Sequence, residues 1–162
     1  MTTTATNPTN TTDRTLLILI AGPYLSGTDG DPQRIAANMA RMEATALPLY
    51  ERGHLAMIGE WVALPIIHAA GGREHGDAVF HQYQYPVAER LLSRCDAVLR
   101  IPGESRGADQ DVARARARGL PVYERIEDVP IKGGPRAPRR RRTARSARRS
   151  ATAPRGRAWR RR

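Results

Sequence analysis

Two rhythms of apolar and polar positions follow each other along this chain. Thr15–Ala21 (TLLILIA) is an unbroken apolar run that stops at Gly22-Pro23. A short continuous run predicts a strand covered on both faces. From Gln33 to Tyr50 the apolar residues Ile35, Met39, Met42, Ala46 and Leu49 fall at steps of 4, 3, 4 and 3, which predicts an amphipathic helix. Pro48 is expected to kink or end its last turn, and Gly53 to close it. His54–Ile58 predicts a second strand. Residues 60–84 read as a partly buried helix or irregular segment interrupted by Pro65, with a loop over Ala69–Asp77. Pro86 suits the first turn of a helix carrying Val87, Leu91, Leu92 and Cys95. Asp96–Ile101 predicts a third strand, Pro102–Gly107 a tight polar turn, and about Asp109–Arg118 a helix ended by Gly119. Leu120–Tyr123 predicts a fourth strand, and Glu127-Asp128-Val129 a last short turn.

Strands alternating with helices across short Gly/Pro turns predict an α/β domain. The expected architecture is Rossmann-like (flavodoxin-like), a mostly parallel sheet of four to five strands with helices on both faces. Such sheets bind ligands beyond the carboxyl ends of their strands. Two strand ends there carry candidate chemistry: Gly22-Pro23-Tyr24, and the segment Pro102–Asp111.

Composition divides the chain further. Its 162 residues carry 27 Lys+Arg against 16 Asp+Glu, a formal charge of +11. Residues 133–162 hold thirteen Arg and no acid, so the remaining 132 residues carry a net charge of −2. That tail lacks the large apolar residues needed to offset its ordering entropy, and residues 1–13 are Thr/Asn-rich. The expected organisation is a disordered segment over 1–13, one α/β domain over 14–130, and a disordered Arg-rich tail over 131–162. The tail supports two readings: a nonspecific binder of nucleic-acid phosphates, or a drifting extension coloured by GC-rich coding. The single Cys95 excludes a disulfide framework or multi-thiolate metal site. The longest apolar run is too short to span a bilayer, and no secretory signal pattern opens the chain. A cytoplasmic location without membrane association is the expectation.

The segment Ser105-Arg-Gly-Ala-Asp-Gln-Asp111 brings a turn to a helix start, where free amides and a partial positive charge receive anions. Ser105 adds a hydroxyl donor. Asp109 and Asp111 are expected in the first helical turn. Ser and Asp are also ordinary capping and first-turn residues, so physics alone leaves both readings open.

Ile20-Ala-Gly-Pro-Tyr24, Cys95-Asp-Ala-Val-Leu99, and Ser105-x-Gly107-x-x-x-Asp111-x-x-x-Ala115-x-x-x-Gly119-x-Pro121-Val122 together resemble the signatures of the nucleoside 2-deoxyribosyltransferase-like superfamily. The resemblance covers about residues 15–128 and points to a branch near the nucleoside 5′-monophosphate N-glycosidases. It implies cleavage of an N-glycosidic bond by a carboxylate nucleophile at Asp111, through a covalent glycosyl-enzyme passed to water or another base. Ser105, six residues earlier, matches the position that holds a 5′-phosphate. Tyr24 matches a loop near sugar and base. The implied ligand set is Gly22, Pro23, Tyr24, Ser105, Gly107 and Asp109. The implied partners are a nucleotide or nucleoside and a second copy of the chain in a homo-oligomer, with no cofactor. Two departures stand out: Asp111 is one methylene shorter than the usual Glu, and Ala88 occupies a position where many members carry Asp.

Trp61, beside Glu60 after the second strand, is a further candidate for stacking on a base, with a core role as the alternative. His75 and His81 lack metal-pair spacing, and no metal is expected. Tyr83 and Tyr85 read as pocket mouth or subunit contact, Asn38 as solvated or ligand-touching, and Cys95 as packing. The competing functions are a catalytically inactive nucleotide-binding protein of the same fold, and a nucleic-acid-associated protein acting through the Arg-rich tail.

Overall fold

The computed structural model describes residues 11–73 and 75–133. In chain order they form β1 (Thr11–Thr12), β2 (Leu17–Ala21), α1 (Pro32–Glu43), α2 (Ala46–Glu51), β3 (Leu55–Ile58) and α3 (Gly59–Ala69). There follow α4 (Ala78–Leu92), β4 (Ala97–Arg100), α5 (Arg106–Ala117), β5 (Val122–Tyr123), a 3-10 turn at Ile126–Asp128, and β6 (Ile131–Lys132).

The side chains of β2 alternate between two buried faces. Ile18 and Ile20 join Ile35, Met42, Leu49, Ala63 and Ile67 from α1, α2 and α3. Leu19 and Ala21 join Leu92, Ala108, Val112 and Ala115 from α4 and α5. The apolar run therefore marks a central strand. Four parallel strands lie in the order β3-β2-β4-β5. This is an α/β sheet with helices on both faces, as expected. Chain order reverses between β2 and β4, and the crevice beyond their carboxyl ends is where doubly wound sheets hold ligands.

Several element boundaries differ from expectation. The helix expected over 33–50 is two helices. Asp31 caps the first, accepting from the Gln33 N–H at 2.7 Å, and Pro32 opens it. Thr45 turns its hydroxyl back to the Met42 carbonyl, and Pro48 lies in the first turn of α2, where a missing N–H costs nothing. Pro65 sits inside a continuous α3. Pro86 sits inside α4, which starts eight residues before it because Asp77 caps that end, accepting from the Phe80 N–H at 2.6 Å. Both prolines are exposed, and the packing of α3 against α4 holds the two helices through the lost bonds.

The expected limits of order at 13/14 and 130/131 also move outward. β1 pairs in parallel with β6, Thr11 opposite Ile131. The buried His54 ring ties the two ends together. Its Nδ1 accepts from the Leu16 N–H at 3.1 Å, which leaves Nε2 to donate to the Pro130 carbonyl at 2.6 Å. The Lys132 N–H donates to the Arg52 carbonyl at 2.8 Å. The disorder expected for residues 1–10 and 134–162, and the readings of the Arg-rich tail, lie outside the described residues. Among the described residues no helix is long and apolar enough to cross a membrane.

Candidate active site

The chain leaves β2 at Gly22, packed against the segment that leaves β4. A Cβ at Gly22 would lie 2.5 Å from Ile101 Cγ1 and 3.1 Å from Met42 Cγ, so only glycine permits this approach. Across the same crevice Ser105 caps α5, its Oγ accepting from the Ala108 N–H at 3.2 Å. Its hydroxyl makes a long contact of 3.5 Å with the Gly22 carbonyl. The two candidate strand ends thus meet at one point, beside the start of α5.

A cavity of about 260 Å³ opens there, lined by Gly22, Tyr24, Ser26, Glu60, Ser105, Gly107 and Asp111 among others. Its opposite wall is one stripe of α4, formed by His81, Gln84, Tyr85 and Ala88, positions that share a helix face. The His81 and Tyr85 rings stack at 6.2 Å. A second concavity, about 610 Å³, lies against the first and shares Ser26, Ser105 and Arg106 with it. Pro23, Asn38, Arg41 and Asp109 face this second concavity. Asn38 donates from Nδ2 to the Tyr24 carbonyl at 2.9 Å and the Ser26 carbonyl at 3.3 Å. It holds the loop after β2 in shape rather than sitting in solvent.

Asp109 and Asp111 do not act as a pair. Because α5 begins at Arg106, Asp109 lies in its first turn and Asp111 beyond it. Asp111 has a side chain only 17% exposed and loosely paired with Arg114 at 3.8 Å. Burial pushes its carboxyl up to about 6, against a smaller lowering by Arg114.

Glu60, in the first turn of α3, is the acid that sequence reasoning passed over. Burial pushes its carboxyl up to about 7, and the Asp111 charge adds to the rise. Gln84 opposes it, donating from Nε2 to Glu60 Oε1 at 3.0 Å. Gln84 Oε1 is left buried without a hydrogen-bond partner. Tyr24 is held by burial, then by the Glu60 charge, at about 12, and its hydroxyl bonds His75 Nδ1 at 3.0 Å. It is therefore a neutral hydroxyl at physiological pH.

Of the expected ligand residues, Gly22, Tyr24, Ser105, Gly107 and Asp111 line the 260 Å³ cavity, whereas Pro23 and Asp109 line the other. Trp61 lines neither. One position along a helix is a rotation of about 100°, so Glu60 faces the cavity and Trp61 turns away, its indole N–H donating to Glu43 Oε1 at 3.1 Å. Trp61, expected as a stacking candidate, thus lies outside both concavities. Ala88 lines the cavity as well. Cys95 packs under the sheet, its thiol pushed up by burial to about 11. Among the described residues no group of three or more His, Cys, Asp or Glu is placed to hold a metal ion.

No protein-family model matches the sequence, and no curated protein matches it. Among solved structures, the chain is similar to a 2-deoxyribosyltransferase from the psychrotolerant bacterium Bacillus psychrosaccharolyticus. The identity is 16%, the match covers 65% of this chain and 69% of that one, and the TM-score is 0.47.

Proposed function

We propose that this protein cleaves the N-glycosidic bond of a nucleoside 5′-monophosphate, or of the nucleoside, with Asp111 as nucleophile. One observation carries the reading: the half-buried Asp111 carboxylate and the Ser105-capped start of the same helix open onto one cavity at the β2/β4 crevice. A helix start receives a phosphate through its free amides and partial positive charge. A carboxylate further along the same helix then reaches the anomeric carbon of the sugar that carries that phosphate. In this role Asp111 attacks C1′, the base departs, and a glycosyl ester remains for water or a second base to cleave. Tyr24 bounds the sugar as an uncharged hydroxyl.

A second reading has its own support. The wall position Ala88 carries no acid, and Asp111 is a methylene shorter than a Glu, where a displacement of about 1 Å costs on the order of a hundredfold in rate. Binding without turnover follows from that reading. The discriminating experiment incubates the full chain with a panel of ribo- and deoxyribonucleoside monophosphates and follows free base by chromatography. Base release by the native chain and not by Asp111→Ala supports the glycosidase. Binding of a monophosphate with no release of base supports the inactive binder, and neither binding nor release rejects both.

A further inference from the structure

We propose that Glu60 is the proton donor to the leaving base, supplied from α3. This rests on the reading of Asp111 as nucleophile. Among the described residues that line the cavity only two are acids, Glu60 and Asp111. They arrive from different helices, so one can address the departing base while the other addresses the sugar.

The surroundings of Glu60 are built to hold it. Gln84 spends its Nε2 on Glu60 Oε1 at 3.0 Å and leaves its own Oε1 buried and unpaired. An orphaned buried carbonyl is destabilising. Such a cost, carried at a cavity wall, marks an orientation retained for the carboxyl it serves. The titratable or charged groups that line the cavity with Glu60 are Tyr24, His81, Tyr85, Arg106 and Asp111. Tyr24 keeps its proton to about 12 and is bonded to His75, while the His81 ring is stacked on Tyr85. Glu60, near 7, carries a proton at neutral pH more readily than Asp111, near 6. Two carboxyls whose environments separate them in this order take the roles of acid and nucleophile.

The steps balance. An oxygen of ionised Asp111 forms a bond to C1′ as the C1′–N bond breaks. The electron pair leaves with the base, and the Glu60 proton moves to the base nitrogen. Water then attacks C1′ and gives one proton to the Glu60 carboxylate. The C1′–O bond to Asp111 breaks, its electron pair returns to Asp111, and both residues regain their starting forms.

The test compares two substrates in the full chain. One is the monophosphate that the panel identifies. The other is 4-nitrophenyl β-D-ribofuranoside 5-phosphate, whose phenolate departs without a proton. Glu60→Gln is expected to slow base release about a hundredfold or more and to remove the limb of the pH–rate profile that falls above neutrality. Its first-turnover release of 4-nitrophenolate is expected to stay within about threefold of native, in the range where protonation is not rate-determining. Equal losses on both substrates, or no loss on the nucleotide, overturn the proposal. Asp111→Ala separates the two ideas. If it abolishes both reactions while Glu60→Gln slows both equally, Asp111 stands and Glu60 falls. If it retains both reactions, the Asp111 reading falls. A native chain inert to both substrates refutes the two together.

Discussion

Asp109 and Asp111 lie two positions apart on α5 and look in different directions. Asp109 Oδ1 is 2.9 Å from Arg100 Nη2, and its side chain is 68% exposed. Arg100, only 16% exposed, also donates to the Gly103 carbonyl at 2.7 Å and so fastens the turn after β4. Residues i and i+2 of a helix do not share a face, and here that separates an exposed carboxylate from a half-buried one. Asp109→Asn should lower stability by less than about 1 kcal/mol, as for other exposed ion pairs. Turnover should change by no more than a few-fold. With Asp111 as the proposed nucleophile, Asp111→Asn should lose turnover by about a thousandfold or more. Steady-state kinetics on the two variants checks this, and equal losses would return Asp109 to the site.

The burial that raises the Asp111 and Glu60 carboxyls works against the fold. Both carboxyls are raised in the folded state, from 3.8 to about 6 and from 4.5 to about 7. As pH rises through these windows the unfolded chain releases its protons first, so the folded state loses stability relative to it. The penalty is absent below about pH 4 and complete above about pH 7. Asp111→Asn and Glu60→Gln should each be more stable than native at pH 8, by about 1–3 kcal/mol, and should gain nothing at pH 4. Urea denaturation at the two pH values measures it. A gain of the same size at both would mean that titration is not its source.

Ser105 does two jobs with one oxygen. It accepts from the Ala108 N–H, and it borders both concavities. Ser105→Ala should cost about 1 kcal/mol as a lost helix cap. On the proposed seat of the phosphate at the helix start, it should also raise KM for a nucleoside monophosphate more than for the matching free nucleoside. Thermal melts read the first effect and paired kinetics the second. Equal changes in KM for the two substrates would take the phosphate away from Ser105.

The parts of this site legible in the sequence are those where local rhythm and chemistry coincide. The run Leu16–Ala21 announces a doubly covered strand, and Ser105 announces a helix start, because each signal is contained in a few adjacent residues. Of the α4 wall only Tyr85 was legible, as a pocket-mouth candidate. His81, Gln84 and Tyr85 face a cavity rather than a core, so they break the apolar period over the first half of that helix, and Pro86 then reads as its beginning. Glu60 was obscured differently. An acid in a first helical turn is an ordinary partner of the helix dipole, and only the packing of α3 against α4 sets Gln84 against it. Trp61 drew the attention that belonged to its neighbour because a helix whose start is not fixed leaves its inward face undefined.

His54 supplies the stability counterpart to the site. Its ring, 1% exposed, accepts from the Leu16 N–H and donates to the Pro130 carbonyl. These bonds join the entry to β2, the start of β3 and the segment before β6, and none of them touches the cavity. His54→Ala strands one buried donor and one buried acceptor, each costing about 1–3 kcal/mol, and leaves a void in place of the ring. A total loss of about 3–5 kcal/mol is expected by urea denaturation. That is a large share of the 5–15 kcal/mol typical of a domain. His54→Gln, which keeps a donor and an acceptor in one side chain, should recover part of the loss. Turnover per folded molecule should be unaffected in both variants, since His54 holds the back of the sheet and not its carboxyl end. A variant that stays fully stable would show that the two ends are held by β1 and β6 alone, whereas a stable fold with lost turnover would place His54 in communication with the cavity.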